Sequence, residues 1–200
     1  DLLFDPDGGG SEPTINVGLF DWGPTSVMAD DGNQAVENFI ANAANIGNPD
    51  WEVLSTSFTV YSHATLGLTR DGSNVINTPD GLNSDYEITM VIGFTETVTD
   101  VFSGGGKNFA SFAFDPDGDV NFFEIYYDSN VNSDQLAGTG FNDGTLILSS
   151  QVIGTSTGEF SSAQTPVVED LDQFGDAPLD DWDGQQTQVG SGTNDEITLD

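Results

Sequence analysis

Cysteine is absent from this 200-residue chain, so no disulfide can form and no thiolate can hold a metal. Basic residues number two, Arg70 and Lys107. That leaves no basic patch for nucleic acid or an anionic membrane surface, and no Gly-x-x-x-x-Gly-Lys-Ser/Thr run with the lysine of a phosphate-cradling loop. Histidine occurs once, as His63. Zinc sites need two or three histidines or cysteines, so the sequence excludes them. A Ser-His-Asp triad would have to use that one imidazole. No run reaches the roughly 18 apolar residues of a membrane-spanning helix.

What is present is acid. Thirty-four acids, 25 Asp and 9 Glu, give a formal net charge of -32. The bias to Asp has two physical readings: its short carboxylate bonds nearby backbone in turns, and hard cations such as calcium take oxygen ligands. A chain this negative repels itself, and bound cations or high salt would ease its folding. Core material is also present, with 14 Phe, 4 Tyr and 3 Trp. With few lysines and much Gly, Asn, Thr and Ser, the composition suits a secreted surface protein, the alternative being a halophile's cytosolic protein. The pattern breaks off within a strand at Glu196–Asp200, so the native chain is expected to extend beyond it; any signal peptide is expected to have been removed.

Along the chain, residues 1–13 read as an N-terminal arm, Leu2-Leu3-Phe4 followed by Asp5-Pro6-Asp7-Gly8-Gly9-Gly10. Residues 14–200 read as one domain. Ala35, Val36, Phe39, Ile40 and Ala43 have helical spacing and predict one short helix within 31–45. Strands are predicted over 14–22, 53–68, 86–102, 109–114, 120–128, 145–153, 167–174 and 186–199. Phe122–Tyr127 is apolar on both faces, as in a strand buried on both sides. The expected fold is all-β, an antiparallel β-sandwich of jelly-roll-like type with at most one short helix.

Two acidic stretches have the oxygen spacing of calcium loops. In Asp115-Pro116-Asp117-Gly118-Asp119, three carboxylates alternate with a proline and a glycine that turn the chain. In Asp128, Asn130, Asn132 and Asp134, an oxygen-bearing side chain occupies every second position. It is not an EF-hand, since Ser133 replaces the turn glycine and Thr139 the distal glutamate. The repeated Phe-Asp-Pro-Asp-Gly at 4–8 and 114–118 adds Asp5 and Asp7 as a third candidate. The plainer reading of each Asp-Pro-Asp-Gly is a β-turn. Extracellular calcium is millimolar, so even sites with Kd on the order of 10⁻⁴–10⁻³ M would fill.

Catalysis finds little support. His63 lies in a β run and reads as a packed residue. A carboxylate pair for glycoside hydrolysis stays open only because acids are everywhere. Trp22 and Trp51 read as core, whereas Trp182, in Asp180-Asp181-Trp182-Asp183-Gly184, reads as exposed and could stack a sugar, as could Tyr126 and Tyr127.

The segments Asn121-Phe-Phe-Glu-Ile-Tyr-Tyr-Asp128 and Leu136-Ala-Gly-Thr-Gly-Phe-Asn-Asp-Gly-Thr-Leu-Ile-Leu148 resemble the flocculation-associated PEP-CTERM protein family. Leu3-Phe-Asp-Pro-Asp-Gly8, Tyr86-Glu-Ile-Thr89, Phe94-Thr-Glu-Thr-Val98, Ala110-Ser-Phe-Ala-Phe-Asp-Pro116 and Leu171-Asp-Gln-Phe-Gly175 extend the likeness over most of the chain. The resemblance implies a Sec-exported protein of a floc- or biofilm-forming bacterium, sorted by a C-terminal Pro-Glu-Pro tail and associated with exopolysaccharide and cell aggregation. That tail is not in this sequence. No catalytic residues come with the family.

The expectation is therefore a secreted, non-enzymatic structural or adhesive matrix protein, stabilised by calcium. Its expected partners are copies of itself, joined into filaments by β-strand addition, and exopolysaccharide. Leu2, Leu3 and Phe4 are the candidate donor strand. The alternative is a calcium-dependent exopolysaccharide-binding module using Trp182.

Overall fold

In a computed structural model, the chain is described at residues 2–5, 9, 14–135, 137–155, 158–163, 168–170, 186–188, 190–193 and 197–199. The strands in chain order are β1 Leu2–Phe4, β2 Ile15–Val17, β3 Leu19–Asp30, β4 Ser57–Arg70, β5 Glu87–Gly104, β6 Lys107–Phe114 and β7 Asn121–Asp128. They continue as β8 Thr145–Ser150, β9 Val152–Thr155, β10 Gly158–Ala163, β11 Val168–Asp170, β12 Gln186–Gln188, β13 Gly190–Thr193 and β14 Ile197–Leu199. One helix, α1 Gly32–Ala44, occurs among the described residues. The largest sheet has the order β13-β10-β6-β5-β4-β3, with β7 pairing both β5 and β8. Two-stranded sheets join β1 to β2, β11 to β12 and β9 to β14. The fold is the all-β, antiparallel, sandwich-like class expected from the sequence.

The longest strand shows why. In β5 and the residue before it, Tyr86, Ile88, Ile92 and Phe94 are buried on one face, with Met90 partly buried between them. Alternation at period two sends these side chains to the same side of the pleat. A polar second face normally meets water, but Glu87, Thr89 and Thr95 are buried as well. Two loops rich in acid cover them. β5 then turns into β6 through Gly105 and Gly106, both at positive φ, a conformation that costs glycine nothing. This closes a hairpin with Phe102 opposite Phe109.

The chain divides into two compact units. The first comprises Asp1–Val27, Ser62–Ile92 and Phe123–Ser150. Leu66, Tyr86, Ile88 and Ile125 form its core, with Phe4, Phe20, Trp22, Phe123, Tyr127 and Ile147 packed around them. Phe4 meets Phe20 edge-on at 5.2 Å, and Tyr86 stacks on Tyr127 at 5.2 Å. The expected arm thus belongs to this unit: β1 pairs with β2, Leu2 opposite Val17 and Phe4 opposite Ile15. β7 has a neighbour on each side, yet of its aromatic and aliphatic residues only Ile125 is fully buried. Its expected burial on both faces is therefore partial.

The second unit comprises Met28–Tyr61, Gly93–Phe122 and Gln151–Asp200. Phe58, Val60, Phe94, Val98 and Ala110 are buried here, and Phe58 meets Phe112 edge-on at 5.0 Å. Helix α1 falls within the predicted 31–45 and buries Ala35. Residues 51–56 have no regular structure, so their backbone groups need other partners. The helix supplies them: Asn38 donates its amide to Ser55 O at 2.7 Å, and Asn42 donates to Leu54 O and accepts from Leu54 N–H.

Candidate metal centre and its neighbours

In the second unit, the loop between β6 and β7 carries the first predicted calcium motif. Asp115 Oδ1 accepts the backbone N–H of Asp117 at 3.1 Å, the turn that Asp makes two residues ahead of itself. The Asp115 N–H bonds Thr95 O at 2.9 Å. Gly118 lies so close to the Thr95 side chain that a Cβ would collide with it. Glycine is needed at this position to let the backbone approach, and the loop is thereby seated on the polar face of β5.

Asp115, Asp117 and Asp119 line a groove of about 330 Å³ together with Asp30 and Asp31. Hydroxyl-bearing Ser57, Thr59 and Thr95 complete much of its wall. Asp31 sits at the N-terminus of α1 but in a left-handed conformation, φ 62°, and makes no cap hydrogen bond with its side chain. Its carboxylate lines the groove instead. Neighbouring carboxylates repel, and physiological salt screens only beyond about 8 Å. Phe58 and Gly118 also line the groove, and the remaining side chains all bear oxygen, the donor that a hard cation such as calcium takes. Among the described residues no three acidic or imidazole side chains stand as a ready-made metal cage, so five carboxylates face a common space without closing on one point.

The second predicted loop, in the first unit, is organised differently. Asp128 Oδ1 accepts both the backbone and the amide N–H of Asn130, at 2.8 and 3.1 Å. Asn132 donates its amide to Asp143 Oδ2, and Asp134 Oδ1 accepts from Ala137 N–H. One oxygen each of Asp128 and Asp134 therefore serves the loop's own turns, while Asn130 and Asn132 act in these bonds as donors. What anchors the loop is Glu87, only 1% exposed. Its Oε1 accepts the N–H groups of Asn132 and Ser133, both at 2.9 Å, and its Oε2 accepts the Ser133 hydroxyl at 2.6 Å. A buried carboxylate is tolerated when donors surround it in this way. Thr89 adds a hydrogen bond to Phe141 O at 2.7 Å.

Of the third candidate pair, Asp5 has a buried Oδ1 without a hydrogen-bond partner, and Asp7 lies outside the described residues. Leu3 is exposed while Phe4 packs inward; Leu2 is in β1, opposite Val17 of β2. Trp182 lies outside the described residues. Tyr126 donates to Glu124 Oε2 at 2.7 Å. Burial first, then that bond and the Glu124 charge, push its hydroxyl up to about 12. Sequence reasoning missed Glu87, Asp30 and Asp31 as site residues. Glu87 had a signal, as the acid at the head of the alternating run Glu87–Phe94. Asp30 and Asp31 had none, because Asp115, which shares their groove, stands about 85 positions further along the chain.

His63 is 4% exposed and stacks on Phe141 at 4.0 Å. Burial lowers its pKa, and a hydrogen bond with Gln135 opposes that more weakly. A histidine titrating lower in the folded state binds fewer protons than in the unfolded chain, so stability falls as pH drops below the unfolded value near 6.5. Urea titrations between pH 7 and about pH 5 are expected to show this loss, and His63→Phe, which keeps the stacked ring, is expected to reduce it. An equal loss in the variant would assign the slope to other groups.

Compared with known proteins, the chain matches no family model, no curated protein and no solved structure.

Proposed function

We propose that this chain is an extracellular structural or adhesive protein that takes up calcium in its aspartate-lined groove and works by holding, not by catalysis. The observation that carries this reading is the meeting of Asp30, Asp31, Asp115, Asp117 and Asp119 on one groove walled by hydroxyls. In a chain of net charge -32 with two bases, a divalent cation is the natural neutraliser of such a groove. The likeness to the flocculation-associated family, put forward with this reading, points the same way.

Strand addition remains the proposed route of self-association. Among the described residues β8 pairs with β7 alone. Its sequence, Thr-Leu-Ile-Leu-Ser-Ser, carries no charge and exposes Leu146 and Leu148. An uncharged strand paired on one side among the described residues is a template for pairing with another chain. Sedimentation in millimolar calcium is expected to show assemblies that dissociate in chelator, and Leu148→Lys is expected to weaken them. Monomers under every condition, at concentrations up to the solubility limit, would defeat the self-association.

A further inference from the structure

Helix α1 and the segment after it form a second groove in the second unit, of about 550 Å³, lined by eleven residues among which none is charged. In a chain where 34 of 200 residues are acids, a neutral lining of that extent stands apart. It shares none of the residues lining the aspartate groove, although Thr56 in its wall precedes Ser57 in the wall of the other.

The groove is built and held. Trp51 lines it and donates its indole N–H to Asn42 Oδ1 at 3.1 Å. The same Asn42 ties Leu54 through both ends of its amide. The ring is therefore fixed by a hydrogen bond to the helix, which lowers the entropy lost on binding. Among the described residues no other aromatic ring stacks on it. Ile46 and Val53, 86% and 77% exposed, lie at the same groove. Asn45 donates its amide to Ala41 O, and Asn48 Oδ1 accepts from Asp50 N–H. In these bonds Asn45 uses its donor end and Asn48 its acceptor end. An acceptor on one and a donor pair on the other remain for a ligand.

We infer that this groove binds a neutral glycan. A pyranose ring has one face of C–H groups, which packs on an indole, and a rim of hydroxyls, each both donor and acceptor. Apolar walls with a few placed amides match that chemistry. An anionic polymer would meet the field of a chain with net charge -32, and a cationic one would find no acid in the lining. The inference does not depend on calcium uptake at the aspartates.

The test is isothermal titration of the full chain with neutral gluco-, manno- and xylo-oligosaccharides of about six sugars, the length of a short groove-filling segment. Saturable binding of at least one series is expected. Trp51→Phe, which keeps a ring, is expected to stay within about threefold, and Trp51→Ala to weaken binding at least tenfold, about 1.4 kcal/mol. If Trp51→Ala does not fold, Ile46→Asp at the exposed rim serves, with a loss of at least threefold expected. Absence of binding to every series would overturn the inference, as would binding unchanged by Trp51→Ala or, in its place, by Ile46→Asp. Dimerisation abolished by Ile46→Asp without any saccharide binding would assign the groove to a second copy instead.

Discussion

Calcium is expected to raise the melting temperature of this chain well beyond what the same ionic strength of sodium achieves. A cation bound only to the native state stabilises by RT ln(1 + [L]/Kd), about 2.7 kcal/mol at one hundred times Kd, which is on the order of 10–100 mM calcium for the Kd expected of this groove. For a chain of this size each kcal/mol moves the melt by roughly 2–4 °C, so one filled site is worth roughly 5–10 °C. The source of the effect is the groove where Asp30, Asp31, Asp115, Asp117 and Asp119 face one another. Replacing Asp117 and Asp119 together by Asn makes the expectation sharper, because the sign reverses between buffers. In chelator the variant is expected to melt higher than the parent, since two repelling charges are gone. In calcium it is expected to melt lower, since two ligands are gone. Asp115 is a poorer choice, because its Oδ1 also holds the turn to Asp117 N–H. A melt that responds equally to sodium and calcium would reduce the groove to general screening.

Glu87→Leu is expected to be among the most destabilising single changes the chain can suffer. The substitution leaves the N–H groups of Asn132 and Ser133 and the Ser133 hydroxyl without the carboxylate that receives them. A buried donor left unsatisfied costs about 1–3 kcal/mol. Some of the loop would open to water and recover part of that, so a total of about 3–5 kcal/mol is expected from urea unfolding, at the high end of single substitutions. Glu87→Gln keeps one acceptor oxygen and is expected to lose about half as much. Amide exchange supplies the local readout: Asn132 and Ser133 should lose protection in Glu87→Leu, while Ile92 in the same strand keeps most of its own. A loss below about 1 kcal/mol would mean that other contacts hold the loop.

Both predictions concern residues that the sequence revealed unequally. The alternation from Tyr86 to Phe94 was plain, because period two is a local property, and β5 occupies the predicted stretch. Helix α1 was legible for the same reason at period 3.6. β10, Gly158–Ala163, was not predicted. Its Gly-Glu-Phe-Ser-Ser-Ala has weak strand preference, and it is extended because β6 and β13 flank it, with Phe160 opposite Ala110 and Gly192. β3 was expected to stop at Trp22, before Gly23 and Pro24, yet it runs to Asp30. It stands at one end of the strand order, where a missing N–H is tolerated. The run from Thr145 to Ile153 reads as one strand but is two, β8 pairing with β7 and β9 with β14.

The site shows the same division. Spacing alone picked out Asp115, Asp117 and Asp119, and they do face one groove. Spacing picked out Asp128, Asn130, Asn132 and Asp134 equally well, but there Asp128 Oδ1 and Asp134 Oδ1 accept from the loop's own N–H groups, and Asn130 and Asn132 donate. The two motifs differ in what lies beneath them: Thr95, against which the first packs its own Gly118, and the buried Glu87 under the second. That difference is set by which β5 residue each loop meets, a non-local fact. Trp51 was expected in the core and instead lines the neutral groove, because the asparagines of α1 draw residues 51–55 toward the helix.

Equilibrium dialysis against labelled calcium at constant ionic strength addresses the central claim most directly. Saturable uptake of at least one ion per chain, with Kd on the order of 10⁻⁴–10⁻³ M and abolished by Asp117→Asn with Asp119→Asn, is the predicted result. Uptake that never saturates, or that is the same in parent and variant, would contradict it.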